Sequence, residues 1–277
     1  MKDRFLNVLQ SLARRGAARL GRESWTVRVT RPLYESSLNF LAQDAGVPWR
    51  VNGETYRIDS RYRHMFGQEY ESAVARFLRD RVQPGDVIFD VGANVGVYVL
   101  QLARWTSGHG KIVAFEPNSA ARAVLERHVA MNGLQDQVLL VPSAVANETG
   151  DKVLWASGED GMARLQEPNA LLLGEASGQK VTVTTLDRFV SSSGIEPRWI
   201  LMDIEGFEVN ALLGARSLIQ RLKGRLGFVI ELHPQIWDGV GTPRGVLEEL
   251  ISELKLNVEP ITGQKDLLGE YGHVLIS

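Results

Sequence analysis

Residues 87–97 read Val-Ile-Phe-Asp-Val-Gly-Ala-Asn-Val-Gly-Val, and this stretch decides the fold that the sequence predicts. A short apolar run enters a turn with two glycines, and a helical pattern follows from Val97 to Trp105. This order of strand, glycine turn and helix N-terminus is typical of an open parallel sheet that holds a nucleotide-like ligand. We expect Gly92 and Gly96 to allow the sharp turn and the close approach of that ligand.

The residues of this turn discriminate between two nucleotide ligands. The G-x-G-x-x-G spacing of dinucleotide-binding turns is absent, because Ala93-Asn94 follows Gly92. Asp90 precedes the turn, where its charge repels a pyrophosphate but attracts an ammonium group. S-adenosylmethionine (SAM) carries an ammonium group at its amino-acid end. The sequence therefore predicts that Asp90, Gly92, Asn94 and Gly96 bind SAM.

The next two predicted strands also end in polar residues. Residues 111–115 form a second strand that ends on Glu116, whose carboxylate can accept hydrogen bonds from both ribose hydroxyls of the ligand. A ribose is present in NAD and in SAM, so Glu116 does not choose between them. The third strand, 138–141, leads to Ser143, which either contacts the adenine ring or satisfies its own turn.

Composition limits the class of protein. The chain has 277 residues, of which 44% are hydrophobic and 23% charged, as in ordinary globular proteins. Its formal charge of −2 gives no overall attraction to nucleic acid or to an anionic membrane, and the absence of cysteine excludes thiol chemistry and cysteine-ligated zinc. We find no apolar run of transmembrane length and no signal-peptide pattern, and therefore expect a cytoplasmic protein.

Residues 1–69 are predicted to form an N-terminal extension before a main domain at 70–277. Residues 1–31 contain eight Lys or Arg against two acidic residues, with apolar residues at helical spacing, which indicates a basic amphipathic helix. Such a helix suits a membrane surface, an acidic partner or a second subunit, and we expect a role in homo-oligomer assembly. A short helix at 35–46 and a hairpin around Asn52-Gly53 follow.

From residue 87 onward, strand and helix patterns alternate. This alternation predicts an α/β fold, Rossmann-like and doubly wound, with a mostly parallel seven-stranded sheet and helices on both faces. Residues 147–190 interrupt the alternation as an insertion with two strands, either a flap over the site or a hairpin extending the sheet. A single helix is predicted over 209–222, with Gly214 inside it.

The fourth and fifth predicted strands end in acidic residues and a histidine. Asp203-Ile204-Glu205-Gly206-Phe207-Glu208 follows the fourth strand, and Glu231-Leu232-His233 follows the fifth. The carboxyl ends of parallel strands meet at one edge of a sheet, where such folds build their sites. Helix capping is the structural alternative for Asp203 and Glu205.

Taken together, four motifs resemble those of the FkbM family of SAM-dependent methyltransferases. These motifs are Asp90-Val91-Gly92-Ala93-Asn94-Val95-Gly96, Glu116-Pro117, Thr185-Leu186-Asp187 and Asp203-Ile204-Glu205-Gly206-Phe207-Glu208. The resemblance covers residues 70–276 and implies a class I methyltransferase fold. It also implies an enzyme that methylates hydroxyl groups, often on sugars or polyketide-type natural products. An NAD-dependent oxidoreductase and a non-catalytic SAM-binding scaffold are the competing hypotheses.

The implied reaction is in-line attack of an acceptor hydroxyl oxygen on the methyl group of SAM. His233 is the first candidate for the base, because histidine titrates near neutral pH, and Asp203 or Glu205 could serve instead. Asp203 is also expected to contact the cofactor. Asp203, Glu205 and Glu231 could alternatively collect Mg²⁺, but metal-free base catalysis is favoured.

Overall fold

The computed structural model describes residues 24–42, 45–156 and 177–277, together with residues 8, 11–13, 15, 16, 19, 21 and 165. The chain divides into two compact units: Met1–Ser72 with Arg127–Leu134, and Ala73–Glu126 with Gln135–Ser277. The basic helix predicted near the N-terminus lies largely outside the described residues. No helix in the described part of the chain is long and apolar enough to cross a membrane.

The first unit contains a long helix and a β-hairpin. Its elements are α1 (Trp25–Ala42), β1 (Val47–Val51) and β2 (Glu54–Ile58). The predicted hairpin turn is confirmed, because Asn52 and Gly53 both have positive φ, at 47° and 88°. The helix predicted over 35–46 starts too late, because α1 begins ten residues earlier, at Trp25. At that start, Ser24 Oγ accepts a hydrogen bond from the Val27 N–H at 3.4 Å, as a helix-capping side chain does.

The second unit is built on the predicted seven-stranded sheet. Its strands are β3 (Val87–Val91), β4 (Lys111–Phe115), β5 (Val138–Val141), β9 (Trp199–Met202), β10 (Gly227–Leu232), β11 (Val258–Pro260) and β12 (Gly272–Ile276). Their order is β11-β12-β10-β9-β3-β4-β5, and only the pairings of β12 with β10 and β11 are antiparallel. The sheet therefore has five consecutive parallel strands whose carboxyl ends share one edge.

Helices connect these strands in the predicted α/β order. They are α2 (Ser72–Arg79), α3 (Val97–Trp105), α4 (Ser119–Met131), α5 (Leu186–Ser193), α6 (Glu208–Leu213), α7 (Arg216–Arg221), α8 (Pro234–Trp237) and α9 (Arg244–Leu254). One apolar cluster joins alternate residues of five strands to side chains of α5, α6, α7 and α9. Because successive strand residues face opposite sides, Asp90 and Glu231 belong to the other face of the sheet.

The last turn of α4 belongs to the first unit. His128 Nε2 accepts from the Asp59 N–H at 3.0 Å, and Asn132 exchanges two hydrogen bonds with the Arg57 backbone, at 2.9 and 2.7 Å. The Asn132 amide therefore pairs with the free edge of β2 much as a strand does. Gly133 then ends the helix with φ 66°, as the sequence predicted.

Two predictions about the connections need correction. The helix over 209–222 is broken into α6 and α7 at Gly214, whose backbone packs so closely on Ala146 that a Cβ would lie 2.1 Å from the Ala146 carbonyl oxygen. The strands of the insertion do not extend the main sheet. They form a separate three-stranded sheet from β6 (Ser143–Val145), β7 (Gly150–Ala156) and β8 (Ser177–Thr184), in the order β6-β8-β7.

Candidate functional site

The glycine turn after β3 is held closely against its neighbours. Gly92, Asn94 and Gly96 have φ values of 88°, 47° and 92°. A Cβ on Gly92 would lie 1.9 Å from the Asp203 carbonyl oxygen, and one on Gly96 would lie 2.4 Å from Leu125 Cδ1. These glycines therefore allow the positive φ of the turn and its close packing against Asp203 and Leu125, and the approach of a ligand to them stays a prediction.

Glu116 is fixed at the end of β4 by backbone donors. Its Oε2 accepts from the Asn94 N–H and its Oε1 from the Asn118 N–H, both at 2.7 Å. Burial raises the pKa of Glu116 from 4.5 to about 7, against these hydrogen bonds and the charge of Arg122. Each carboxylate oxygen offers about two acceptor sites, so each can accept one further hydrogen bond.

Further cofactor-binding candidates are Asp90, Asn94 and Ser143. The side-chain oxygen of Asn94 is buried and has no hydrogen-bond partner within the described residues. Asp90, only 4% exposed, is the fourth residue of β3. Ser143 is the first residue of β6 and lies two residues beyond the end of β5. Asp90 and Asn94 thus place a carboxylate and an amide oxygen on either side of Gly92 in the chain.

The strand ends after β9 and β10 bring three predicted residues together. Parallel pairing aligns Met202 with Ile230, which places the two following segments side by side. One ligand atom from each of Asp203, Glu231 and His233 lies within 4.8 Å of the others. His233 Nε2 also lies 3.8 Å from Glu205 Oε2. The structure therefore brings these predicted residues together at one edge of the sheet.

Glu208 orients the histidine of this cluster. Its carboxylate is fully buried and accepts from the Gly206 N–H at 2.7 Å, His233 Nδ1 at 3.0 Å and Trp237 Nε1 at 2.9 Å. Because a carboxylate only accepts, Nδ1 carries the proton and Nε2 is the nitrogen that faces Glu205 and Glu231. The sequence placed Glu208 in the acidic motif after the fourth predicted strand but did not predict its partners.

The negative charge around His233 raises its pKa by more than burial lowers it. Burial lowers the pKa of His233, whereas the hydrogen bond from Nδ1 to Glu208 and the charges of Glu208, Glu205 and Glu231 raise it. The net result is a pKa above the ordinary 6.5. His233 therefore binds a proton more tightly than a solvent-exposed histidine, and its conjugate acid is stabilised by three carboxylates.

Neither Asp203 nor Glu205 occupies the capping position of α6. The N-cap residue is Phe207, whose side chain makes no capping bond, and Glu205 has a positive φ of 51°. Glu208, in the first turn, satisfies the Gly206 N–H instead. The alternative of helix capping is therefore wrong for the two acids.

The far end of the chain adds two residues that the sequence did not indicate. The Tyr271 hydroxyl donates to Glu231 Oε1, and His273 Nδ1 lies 3.9 Å from the same oxygen. The antiparallel register pairs Glu231 with His273 directly. Only that register could have revealed the contact, because forty residues separate Tyr271 from Glu231 in the chain.

The same cluster has the dimensions of a cation site. Asp203, Glu231 and His233 could each supply one ligand to a divalent ion. The Mg²⁺ alternative drawn from the sequence used Glu205 in place of His233. Glu208 would then act as the group that holds the ligating histidine.

Comparison with known proteins identifies the family. Residues 90–258 match the Methyltransferase FkbM domain. The hexuronic acid methyltransferase AglP of Haloferax volcanii is 24% identical over 192 residues, which cover 68% of this chain and 71% of that protein. The crystal structure of Methyltransferase FkbM from Methylobacillus flagellatus KT is similar in fold, with 18% identity and a TM-score of 0.51. That alignment covers 99% of this chain but only 58% of the other.

The domain match starts at Asp90 and extends through the glycine turn, Glu116 and the cluster around His233 to Val258. It spans more than half of the chain, and the family predicted from the four motifs is confirmed. The chain belongs to the FkbM methyltransferase family.

Proposed function

We propose that the protein transfers the methyl group of SAM to a hydroxyl of a sugar or polyketide-type natural product. The observation that supports this most is Glu116, a buried carboxylate at the end of the second parallel strand. Two backbone donors fix its orientation, and each oxygen keeps one acceptor site for a ribose hydroxyl.

The residues around the glycine turn fit the rest of SAM. Asp90 supplies a negative charge for the ammonium group, and the unpartnered Asn94 side-chain oxygen is a further acceptor for a donor of the ligand. Gly92 and Gly96 shape the turn, Asp203 lies against Gly92, and Ser143 is the candidate contact to the adenine ring. A pyrophosphate would place negative charge beside Asp90, which disfavours NAD.

The cluster after β9 and β10 is proposed to prepare the acceptor. SAM, when bound, supplies a methyl group already activated by its sulfonium, so the protein mainly positions the acceptor and receives its proton. Glu208 holds the His233 ring with Nε2 directed towards Glu205 and Glu231. His233 Nε2 accepts the hydroxyl proton, and the carboxylates stabilise the resulting imidazolium. Asp203 and Glu205 orient the hydroxyl through hydrogen bonds.

A divalent cation at Asp203, Glu231 and His233 is the second candidate mechanism. It would polarise the acceptor oxygen and would occupy His233 Nε2, which then could not take the proton. The two mechanisms therefore assign incompatible roles to one nitrogen. Chelator sensitivity separates them.

The acceptor class rests on the named activity of a relative. AglP, whose name states that it methylates hexuronic acid, is similar over 68% of this chain. A sugar with several hydroxyl groups also suits a cluster rich in hydrogen-bond acceptors at the edge of the sheet. A hexuronic acid offers a carboxylate as well, so ether and ester products must be distinguished.

The proposal is tested by calorimetric titration with SAM and with NAD, followed by transfer of labelled methyl groups to a panel of glycans. We expect binding of SAM alone and a labelled product that resists mild alkali, as an ether does. An alkali-labile product would show methylation of a carboxylate. Failure to bind SAM, or binding of NAD in its place, would overturn the proposal.

A further inference from the structure

The helix α1 exposes an apolar stripe on the side opposite its buried face. Trp25, Val29, Leu33 and Phe40 are 75%, 50%, 70% and 75% exposed. Their spacing of four, four and seven residues places them along one side of the helix. The other side contributes side chains such as Leu38, which is fully buried. The stripe is therefore an outward surface and not part of the hydrophobic core.

Exposed apolar side chains are concentrated in this part of the chain. Nine large hydrophobic residues are exposed in the part of the chain that the structure describes, and six of them lie between Val8 and Phe40. Scattered single residues of this kind need no explanation, but four along one side of a single helix mark a binding surface. A sequence of eighteen helical residues with tryptophan at one end and phenylalanine near the other is also typical of interfacial helices.

Charge indicates which partner covers this surface. Residues 1–31 carry eight basic and two acidic residues, a net charge of +6 in a chain whose total is −2. Arg15, Arg19 and Arg28 are exposed. The remaining 246 residues therefore carry −8, so the net charge is positive in the segment 1–31, which overlaps the start of α1, and negative in the rest of the chain. A positively charged segment beside exposed tryptophan, leucine and phenylalanine is complementary to a surface of anionic lipid headgroups.

We propose that the stripe of α1 and the basic residues of the segment 1–31 bind peripherally to an anionic membrane surface. The apolar side chains enter the boundary between headgroups and acyl chains, and the arginines contact anionic headgroups. A second copy of the chain suits this surface less well. A symmetric dimer would bring two segments of charge +6 together, and four side chains are few for an interface that needs roughly 800 Å² per partner.

The test uses the full chain and sedimentation with lipid vesicles. Vesicles of phosphatidylcholine with phosphatidylserine are compared with vesicles of phosphatidylcholine alone, at low and at high salt. We expect binding to the anionic vesicles only, weakened by salt. Trp25→Ser with Leu33→Ser and Phe40→Ser should abolish this binding, and Arg15→Gln with Arg19→Gln and Arg28→Gln should weaken it roughly a hundredfold.

Matched controls distinguish vesicle binding through the stripe from non-specific hydrophobic adsorption. Leu139→Ser with Val153→Ser removes two exposed apolar residues far along the chain and should leave vesicle binding unchanged. Circular dichroism and SAM titration report whether each variant remains folded. If the parent protein does not sediment with anionic vesicles, the proposal fails. It also fails if the stripe variant binds vesicles as the parent does. A lower oligomeric mass of that variant in light scattering, with vesicle binding unchanged, would show that the stripe is a dimer interface.

Discussion

Glu208 Oε1 lies 3.0 Å from His233 Nδ1, and this hydrogen bond fixes which nitrogen of the ring faces the other carboxylates. Glu208 is fully buried, and Gly206 and Trp237 also donate to it. The acidic motif after β9 therefore has two parts. Glu208 fixes the orientation of the His233 ring, whereas Asp203 and Glu205 lie at the strand edge, where an acceptor would approach.

This relationship predicts a change in pH dependence for Glu208→Gln. If His233 is the base, turnover falls as pH decreases through its pKa, which Glu208 helps to raise. Removing that charge lowers the pKa of His233, so the acid limb of the rate profile should move to lower pH. Glu196→Gln, which removes an exposed carboxylate paired with Arg221, is the matched control and should leave the limb in place. An unmoved limb in Glu208→Gln would exclude His233 as the group that titrates.

Glu116→Gln should weaken SAM binding. The amide keeps the shape of the side chain but loses charge-assisted hydrogen bonds to the ribose, which typically contribute about 1.5–3 kcal/mol. Affinity should fall roughly ten- to a hundredfold in calorimetry. Glu126→Gln, at an exposed position on α4, should bind SAM as the parent does. Equal affinity in the two variants would remove Glu116 from the cofactor site.

The same carboxyl group predicts how stability depends on pH. The pKa of Glu116 is raised to about 7 from 4.5, so the folded state binds its proton more tightly than the unfolded state. Its contribution is therefore fully present below pH 4.5 and is lost as pH rises to about 7. The displacement corresponds to at most roughly 3 kcal/mol. Without ligand, Glu116→Gln should lack this loss in urea unfolding between pH 4.5 and 8, and an identical pH profile in both proteins would contradict the shift.

Gly92→Ala should disrupt the site through packing, and Gly108→Ala provides the control. Both glycines have positive φ, at 88° and 71°, so both variants carry similar backbone strain of roughly 1 kcal/mol. A Cβ on Gly92 would lie 1.9 Å from the Asp203 carbonyl oxygen, whereas a Cβ on Gly108 would have no described atom within 4 Å. Gly92→Ala should therefore show a much lower melting temperature and lose SAM binding. Similar melting temperatures would show that the turn can move away from Asp203.

The parts of this structure that were predictable are those with local signals. The two glycines, the strand ends and the Asn52-Gly53 turn each depend on a few adjacent residues. The break between α6 and α7 was missed, and at that break Gly214 packs against Ala146, sixty-eight residues away in the chain. The contact of Tyr271 with Glu231 depends on the register of β10 with β12, which no local pattern specifies. Long-range packing therefore limited the prediction of the site more than that of the fold.

The last prediction concerns the acids at the strand edge. If Asp203 and Glu205 orient the acceptor hydroxyl, Asp203→Asn and Glu205→Gln should reduce turnover roughly a hundredfold or more while SAM affinity stays within a few-fold for Glu205→Gln. Neither acid caps α6, so the melting temperatures of both variants should remain near that of the parent. Glu253→Gln, an exposed carboxylate paired with Arg216, is the matched control.

The same variants decide between base and metal catalysis. If a cation binds Asp203, Glu231 and His233, chelator should abolish the activity of the parent, and added Mg²⁺ or Mn²⁺ should restore it. Asp203→Asn should then need more metal for half-maximal rate than Glu205→Gln, because Glu205 is not one of the three grouped ligands. With base catalysis, chelator should have no effect, and turnover should fall as pH decreases through the pKa of His233. Full activity in both variants would place the acceptor hydroxyl elsewhere on the sheet edge.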